Sequence, residues 1–156
     1  MQFKYLTYCS CLLAAIISKS VIADSTLVRT IDFGTIVVLD NSSVQSIEMD
    51  RFGAFTFSSG IRPIAIGEAG LIEITDYAPG TTFIVSASIT QSGTSSPLIS
   101  LEHFELYAID VPSSIVVPGT GIAELRFGGS IRTSGSGSEA FTDTTFTSRV
   151  RFTLNF

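Results

Sequence analysis

The sequence predicts an all-β protein, an antiparallel β-sandwich of immunoglobulin-like architecture. Three observations predict it. No window places apolar residues at i, i+3, i+4 and i+7 between capping residues, so helix signals are nearly absent. Short alternating segments are instead divided by turn signals about every 8–12 residues. The chain of 156 residues is 45% hydrophobic but only 15% charged. Ser, Thr and Gly supply its polarity, as in many exported β proteins.

The segments follow in order. Ile31-Asp32-Phe33 alternates, Gly34 interrupts, and Thr35 to Leu39 runs on as a strand. Asp40-Asn41-Ser42-Ser43 is a turn, and Ile47 to Asp50 alternates with its acids outward. Asp50-Arg51-Phe52-Gly53 reads as a hairpin turn, after which Phe55 and Phe57 share a face. Ile64 and Ile66 follow Pro63, and Leu71 to Ile74 is a strand. Tyr77-Ala78-Pro79-Gly80 turns the chain. Phe83, Val85, Ala87 and Ile89 share one face, with Ser86, Ser88 and Thr90 on the other. Gln91 to Pro97 reads as a polar loop and Leu101 to Ala108 as a strand. Pro112 to Gly121 is a long connection holding an Ile115-Val116-Val117 expected to be buried. Ala123, Leu125 and Phe127 alternate with Glu124 and Arg126 up to Gly128-Gly129. Ser134 to Ser138 is a Gly/Ser loop, and Val150, Phe152, Leu154 and Phe156 alternate with Arg149, Arg151, Thr153 and Asn155. That makes about eight to ten strands.

Residues 1–23 are expected to be a secretory signal peptide. Lys4 supplies a positive start, Leu6 to Ile17 an apolar run, and Val21-Ile22-Ala23 a cleavage site. The run is short of the ~20 residues needed to span a bilayer. Cys9 and Cys11 lie inside it, not just after it, which argues against a lipid-anchored form. Cleavage leaves residues 24–156 as a single domain with no membrane span. Both cysteines and both lysines depart with the leader, so the exported chain carries seven arginines against 14 acids. It then has no disulfide, no thiolate nucleophile and no lysine base. The acidic balance excludes a nucleic-acid binder, which needs cations to replace phosphate counterions.

Several segments are similar to one family. Ile31-Asp32-Phe33-Gly34-Thr35-Ile36 resembles the opening "DFG" segment of the DUF4402 family of secreted bacterial proteins, and Asp50-Arg51-Phe52-Gly53 resembles its "D-x-x-G" turn. Ile74 to Phe83 is similar to its stretch reaching "P-G-x-x-Y/F", Leu125 to Ile131 to its "V-G-G-x-L" strand, and Val150 to Phe156 to its closing "F-x-V-x-V-N-Y". Thr144 to Ser148 departs from the family's Gly-x-Tyr-x-Gly by lacking both glycines, and Asp76 stands where Gly is common. The resemblance covers nearly all of residues 24–156. It implies a pilin-like or spore-coat-like β-sandwich, with no catalytic residues.

Candidate chemistry is sparse. His103 is the single histidine, out of phase with Phe104 and Leu106, and so is expected on a solvated strand face. No Gly-x-Ser-x-Gly elbow accompanies it. Zinc needs three or four ligands. Glu73 and Glu124 are the mid-strand acids a glycosidase would require, but such acids usually face water. Without tryptophan there is no indole to stack on a sugar ring. Asp40, Asp50 and Asp76 lie near turns, without the Asp-x-Asp-x-Asp spacing of a calcium loop. Gly128-Gly129 lacks the Lys and helix of a phosphate loop and is expected to serve a bulge or close crossing. No cofactor or metal is expected.

The last strand carries the candidate assembly edge: Arg149, Val150, Arg151, Phe152, Leu154 and Phe156. The even-numbered residues from Val150 to Phe156 are expected to face the core. Such a strand suits edge addition, either by self-assembly or by a periplasmic chaperone. A membrane barrel is the other special reading, but Arg149, Arg151, Glu124 and Arg126 suit water better than lipid. The leading expectation is a non-enzymatic, exported structural or adhesive protein, in the periplasm, at the cell surface or outside the cell. The alternatives are a monomeric secreted module that binds a ligand through its loops, and an exported hydrolase.

Overall fold

The structure is a computed structural model that describes residues 24–96, 102–137 and 145–156. The expected leader and cleavage site lie outside the described residues, as do Pro97, Leu101 and Ser138. The described chain is all β and antiparallel, with eleven strands and no helix among the described residues. They are β1 (Asp24–Arg29), β2 (Thr35–Val38), β3 (Ser46–Met49), β4 (Phe55–Phe57), β5 (Ile61–Ala65), β6 (Gly70–Thr75), β7 (Thr82–Ser96), β8 (Glu105–Asp110), β9 (Ser114–Val116), β10 (Ala123–Arg132) and β11 (Thr145–Asn155).

One six-stranded sheet has the order β1-β6-β10-β3-β4, with β8 also on β10. The second sheet is β11-β7-β9, and β2 and β5 form a separate ribbon. β10 is the spine. Its first half, Ala123 to Phe127, pairs with β6, and its second half pairs with both β3 and β8. Its odd-numbered residues Ala123, Leu125, Phe127 and Ile131 are all buried, as period-2 alternation demands.

The sheets enclose two groups of apolar side chains. Ile74, Phe83, Val85, Val117, Ala123 and Leu125 form one, joined by Phe152 and Leu154 of β11. Ile47, Ile61, Phe104, Leu106 and Ile131 form the other, joined by Ile36 and Val38 of the ribbon and by Val150. The ribbon and β11 thus both pack on residues of the larger sheet. Phe83, Phe104 and Phe127 are buried, so aromatic packing supplies part of the core.

Local chemistry explains the turns. Asp50 Oδ1 accepts the amides of Phe52 and Ala54, each at 2.8 Å, and Gly53 takes φ 88° to close the β3–β4 hairpin. Gly80 donates to Val117 O at 2.8 Å in the Tyr77–Gly80 turn. Asp76 is the one non-glycine residue with positive φ among the described residues, at 67°. Asp tolerates that region better than most side chains. At Gly128 the constraint is a crossing: a Cβ would lie 2.2 Å from Met49 O. The expected close approach is therefore real.

The structure corrects several expectations. The first segment read from the sequence began at Ile31, yet Asp24–Arg29 is itself a strand on the edge of the large sheet. Ile31 to Phe33 contributes only an isolated bridge, Asp32 to Glu68. Gln91 to Ser96 is not a loop. It continues β7 against β11, with extra residues on β7 where the register shifts. Its polar side chains hid the strand from a reading based on hydrophobic alternation. The strand expected from Leu101 is shifted later, to Glu105–Asp110. Val116 is exposed, whereas Val117 beside it is buried. Phe156 is 85% exposed rather than in the core. It passes the end of β11, and its ring meets those of Tyr77 and Phe83 edge-on, with centroids 5.6 and 5.8 Å apart.

Candidate functional site: the open edge of β11

β11 is an eleven-residue strand at the edge of its sheet, and its only strand partner among the described residues is β7. The register runs Val150–Ile89, Arg151–Ser88, Phe152–Ala87, Thr153–Ser86 and Leu154–Val85. Both register shifts put the extra residues on β7, so alternation along β11 is unbroken. Val150, Phe152 and Leu154 consequently point inward and are half-buried. The Phe152 ring lies 4.6 Å from that of Phe127, centroid to centroid. Arg149 and Arg151 point outward and are exposed.

A cavity of about 280 Å³ opens beside this strand, lined by Asp24, Ser25, Ile74, Tyr77, Phe152 and Leu154. It lies between β1, on the edge of one sheet, and β11, on the edge of the other. Its lining is mixed: Ile74, Phe152 and Leu154 are apolar, whereas Asp24, Ser25 and Tyr77 carry polar groups. The register of β1 on β6 sets Ser25 opposite Ile74 and Leu27 opposite Ile72. Ile72 and Ile74 face the core, so Ser25 and Leu27 share that face. Leu27 is nevertheless 55% exposed. Among the described residues the facing sheet ends at β11 and does not cover β1, so the sandwich they form is open along that side.

The other candidate residues stand apart from this cavity. Glu73 and Glu124 are brought together, directly opposite in the β6–β10 pair. They alternate with core-facing Ile72, Ile74, Ala123 and Leu125, so they point to the outer face, away from the cavity. Like charges opposite each other are destabilising. Arg126, which binds Glu124 Oε2 at 2.9 Å, offsets this. His103 is exposed just before β8, with its ring 6.2 Å from that of Phe146. Asp40 and Asp50 are used as turn acceptors. Asp76 accepts from the Thr75 hydroxyl at 3.1 Å. No group of three or more His, Cys, Asp or Glu among the described residues could hold a metal ion. No helix among them is long and apolar enough to cross a membrane.

At another end of the molecule a polar knot ties two loops together. Buried Gln45 accepts the Gly60 amide at 3.0 Å, and its backbone bonds Thr133 in both directions. Asn41 Oδ1 accepts from Gly135 N at 3.1 Å. Glu102 accepts the hydroxyls of Ser134 and Ser136, at 2.6 and 2.5 Å. Those hydroxyl donors hold its carboxyl below the usual carboxylate range. These side chains satisfy one another, which is the arrangement of a structural brace.

The groove itself was not legible in the sequence. Leu27 and Val28 are adjacent apolar residues in a polar setting, with too little alternation to mark a strand. Tyr77 belonged to a turn. Only the β11 residues carried a signal, and they form one wall of the cavity. No protein-family model, curated protein or solved structure matches the chain.

Proposed function

We propose that this is a non-enzymatic, exported structural or adhesive protein, pilin-like in the immunoglobulin manner, that works by adding a strand at its sheet edge. One observation carries the proposal: a long edge strand borders a cavity at which, among the described residues, the two sheets do not close. Sheet edges of this length are usually shortened, bulged or covered, because they pair readily with other chains. Here β11 keeps its own alternation along the edge, and the core beside it is left uncovered among the described residues. Edge addition supplies backbone hydrogen bonds along β11, and the cavity takes side chains from the added strand. The resemblance to the DUF4402 family, the apolar leader at residues 6–17 and the low charge all support an exported assembly or adhesion role. Self-assembly and capture by a periplasmic chaperone are two routes by which the same edge is filled.

The test compares two surface cysteines in the exporting cell, each carrying a photoreactive group. Thr153→Cys reports the β11 edge, and Glu124→Cys reports the outer face of the other sheet. The expected result is adducts with polypeptide at position 153 and not at 124. The exported form should have the intact mass of a chain beginning at Asp24. Adducts at neither position, or a leader retained in the membrane fraction, would contradict the proposal.

A further inference from the structure

The three strands of the smaller sheet contain no carboxylate at all. Residues 82–96, 114–116 and 145–155 include no Asp or Glu, whereas the whole chain has 14. The charged residues on this sheet are Arg149 and Arg151, both on its edge strand and both on its outward face. Of the five arginines elsewhere in residues 24–156, four are paired, Arg29 with Glu68, Arg51 with Asp110, Arg126 with Glu124 and Arg132 with Glu105, while Arg62 on β5 makes no ion pair among the described residues. Arg149 and Arg151 make no ion pair among the described residues. Arg149 and Arg151 thus make the β11 side of the groove positive, while Asp24 lies on its β1 side.

From this juxtaposition we infer that the groove between β1 and β11 takes one strand of another polypeptide, apolar where it points inward and acidic at the residues between. The inference rests on the edge-addition reading above and specifies the partner. Inward residues of the added strand enter the cavity over Phe152, Leu154 and Ile74 and cover the face of Leu27. Outward residues come opposite Arg149 and Arg151, where a carboxylate makes a favourable cross-strand pair. The backbone bonds along β11, so the partner is extended. A second copy pairing through its own β11 fits poorly. It would bring four arginines onto one small outward face, and such like charges repel.

The test uses the exported chain and three synthetic peptides of about nine residues, the length of an ordinary strand. One alternates Val with Glu, one alternates Val with Lys, and one holds the Val and Glu residues in two blocks. Binding is read by titration calorimetry, and its location by amide protection along β11. The alternating Glu peptide is expected to protect β11 and to bind about tenfold tighter than the Lys peptide at low salt. That difference should shrink in high salt. Arg149→Thr with Arg151→Thr should remove the difference while leaving the fold intact, since both side chains are exposed. Equal binding of the Glu and Lys peptides, each protecting β11, would overturn the acidic partner and leave edge addition standing. Protection of β11 by neither peptide would overturn both. Equal binding of the alternating and block peptides would overturn the strand register. A stable dimer through β11 without peptide would identify a second copy as the occupant and overturn the inference.

Discussion

Leu27 lies directly opposite Ile72 in the β1–β6 pair, yet Ile72 packs against the core while Leu27 is 55% exposed. Two residues on one face of one sheet thus meet different surroundings across the sandwich. Among the described residues, the layer that faces the larger sheet does not cover β1. Leu27→Ala should therefore cost under about 1 kcal/mol, whereas Ile72→Ala should cost about 2–3 kcal/mol, nearer the range for buried aliphatic residues. Urea melts of the two variants check this. Equal costs would mean that β1 is covered in solution.

Phe152 is half-buried against Phe127, not enclosed. Phe152→Ala should cost about 2–3 kcal/mol, below the range of about 3–5 kcal/mol for a fully buried ring. Arg151→Ala, on the outward face, should cost less than about 0.5 kcal/mol. The difference in urea midpoint measures the facing of β11 directly. Similar costs would place the strand in the wrong register.

Gly128 is held by a crossing and Gly119 is not. A Cβ at Gly128 meets Met49 O and the Asp50 backbone, which cannot swing aside, while nothing lies within 4 Å of one at Gly119. Gly128→Ala should destabilise by about 2 kcal/mol or more, as overpacking does. Gly119→Ala should stay within about 0.5 kcal/mol of the parent. Thermal midpoints of the pair provide the check.

Glu102 couples stability to acid. Its carboxyl titrates below the ordinary value of 4.5 because the Ser134 and Ser136 hydroxyls bond the ionised form. The stabilisation is present above the unfolded value and is lost as pH falls through the folded one. Asp40, held below its ordinary 3.8 by the Ser42 amide, adds in the same direction at lower pH. Urea midpoints should fall between about pH 5 and pH 3, and Glu102→Gln should flatten the upper part of that fall.

Where one face of a strand was apolar and the other polar, the sequence reading matched the structure. Phe83, Val85, Ala87 and Ile89 face inward as their alternation implied, and so do Ala123, Leu125 and Phe127. The Asp50–Gly53 turn was legible because an Asp acceptor and a glycine with positive φ leave a local signature. Three features were hidden, each for a physical reason. Gln91 to Ser96 forms strand by backbone pairing to β11, which polar side chains do not announce. β1 shows no burial contrast from Asp24 to Val28, because none of the described residues covers its inward face. Phe156 continues the alternation of β11 by sequence, but the core ends before it. The cavity is made by Ser25, Ile74, Tyr77 and Phe152, whose proximity only the tertiary fold creates.

The central claim is that β11 presents an open edge. Amide hydrogen exchange along Val150 to Asn155 in the isolated chain of residues 24–156 tests it most directly. In an edge strand with one partner, every second amide bonds that partner and the others face water. The account predicts alternating protection, with slow exchange for amides turned toward β7 and fast exchange for those between. Uniformly slow exchange through the segment would show that another strand already covers the edge, and would contradict the account.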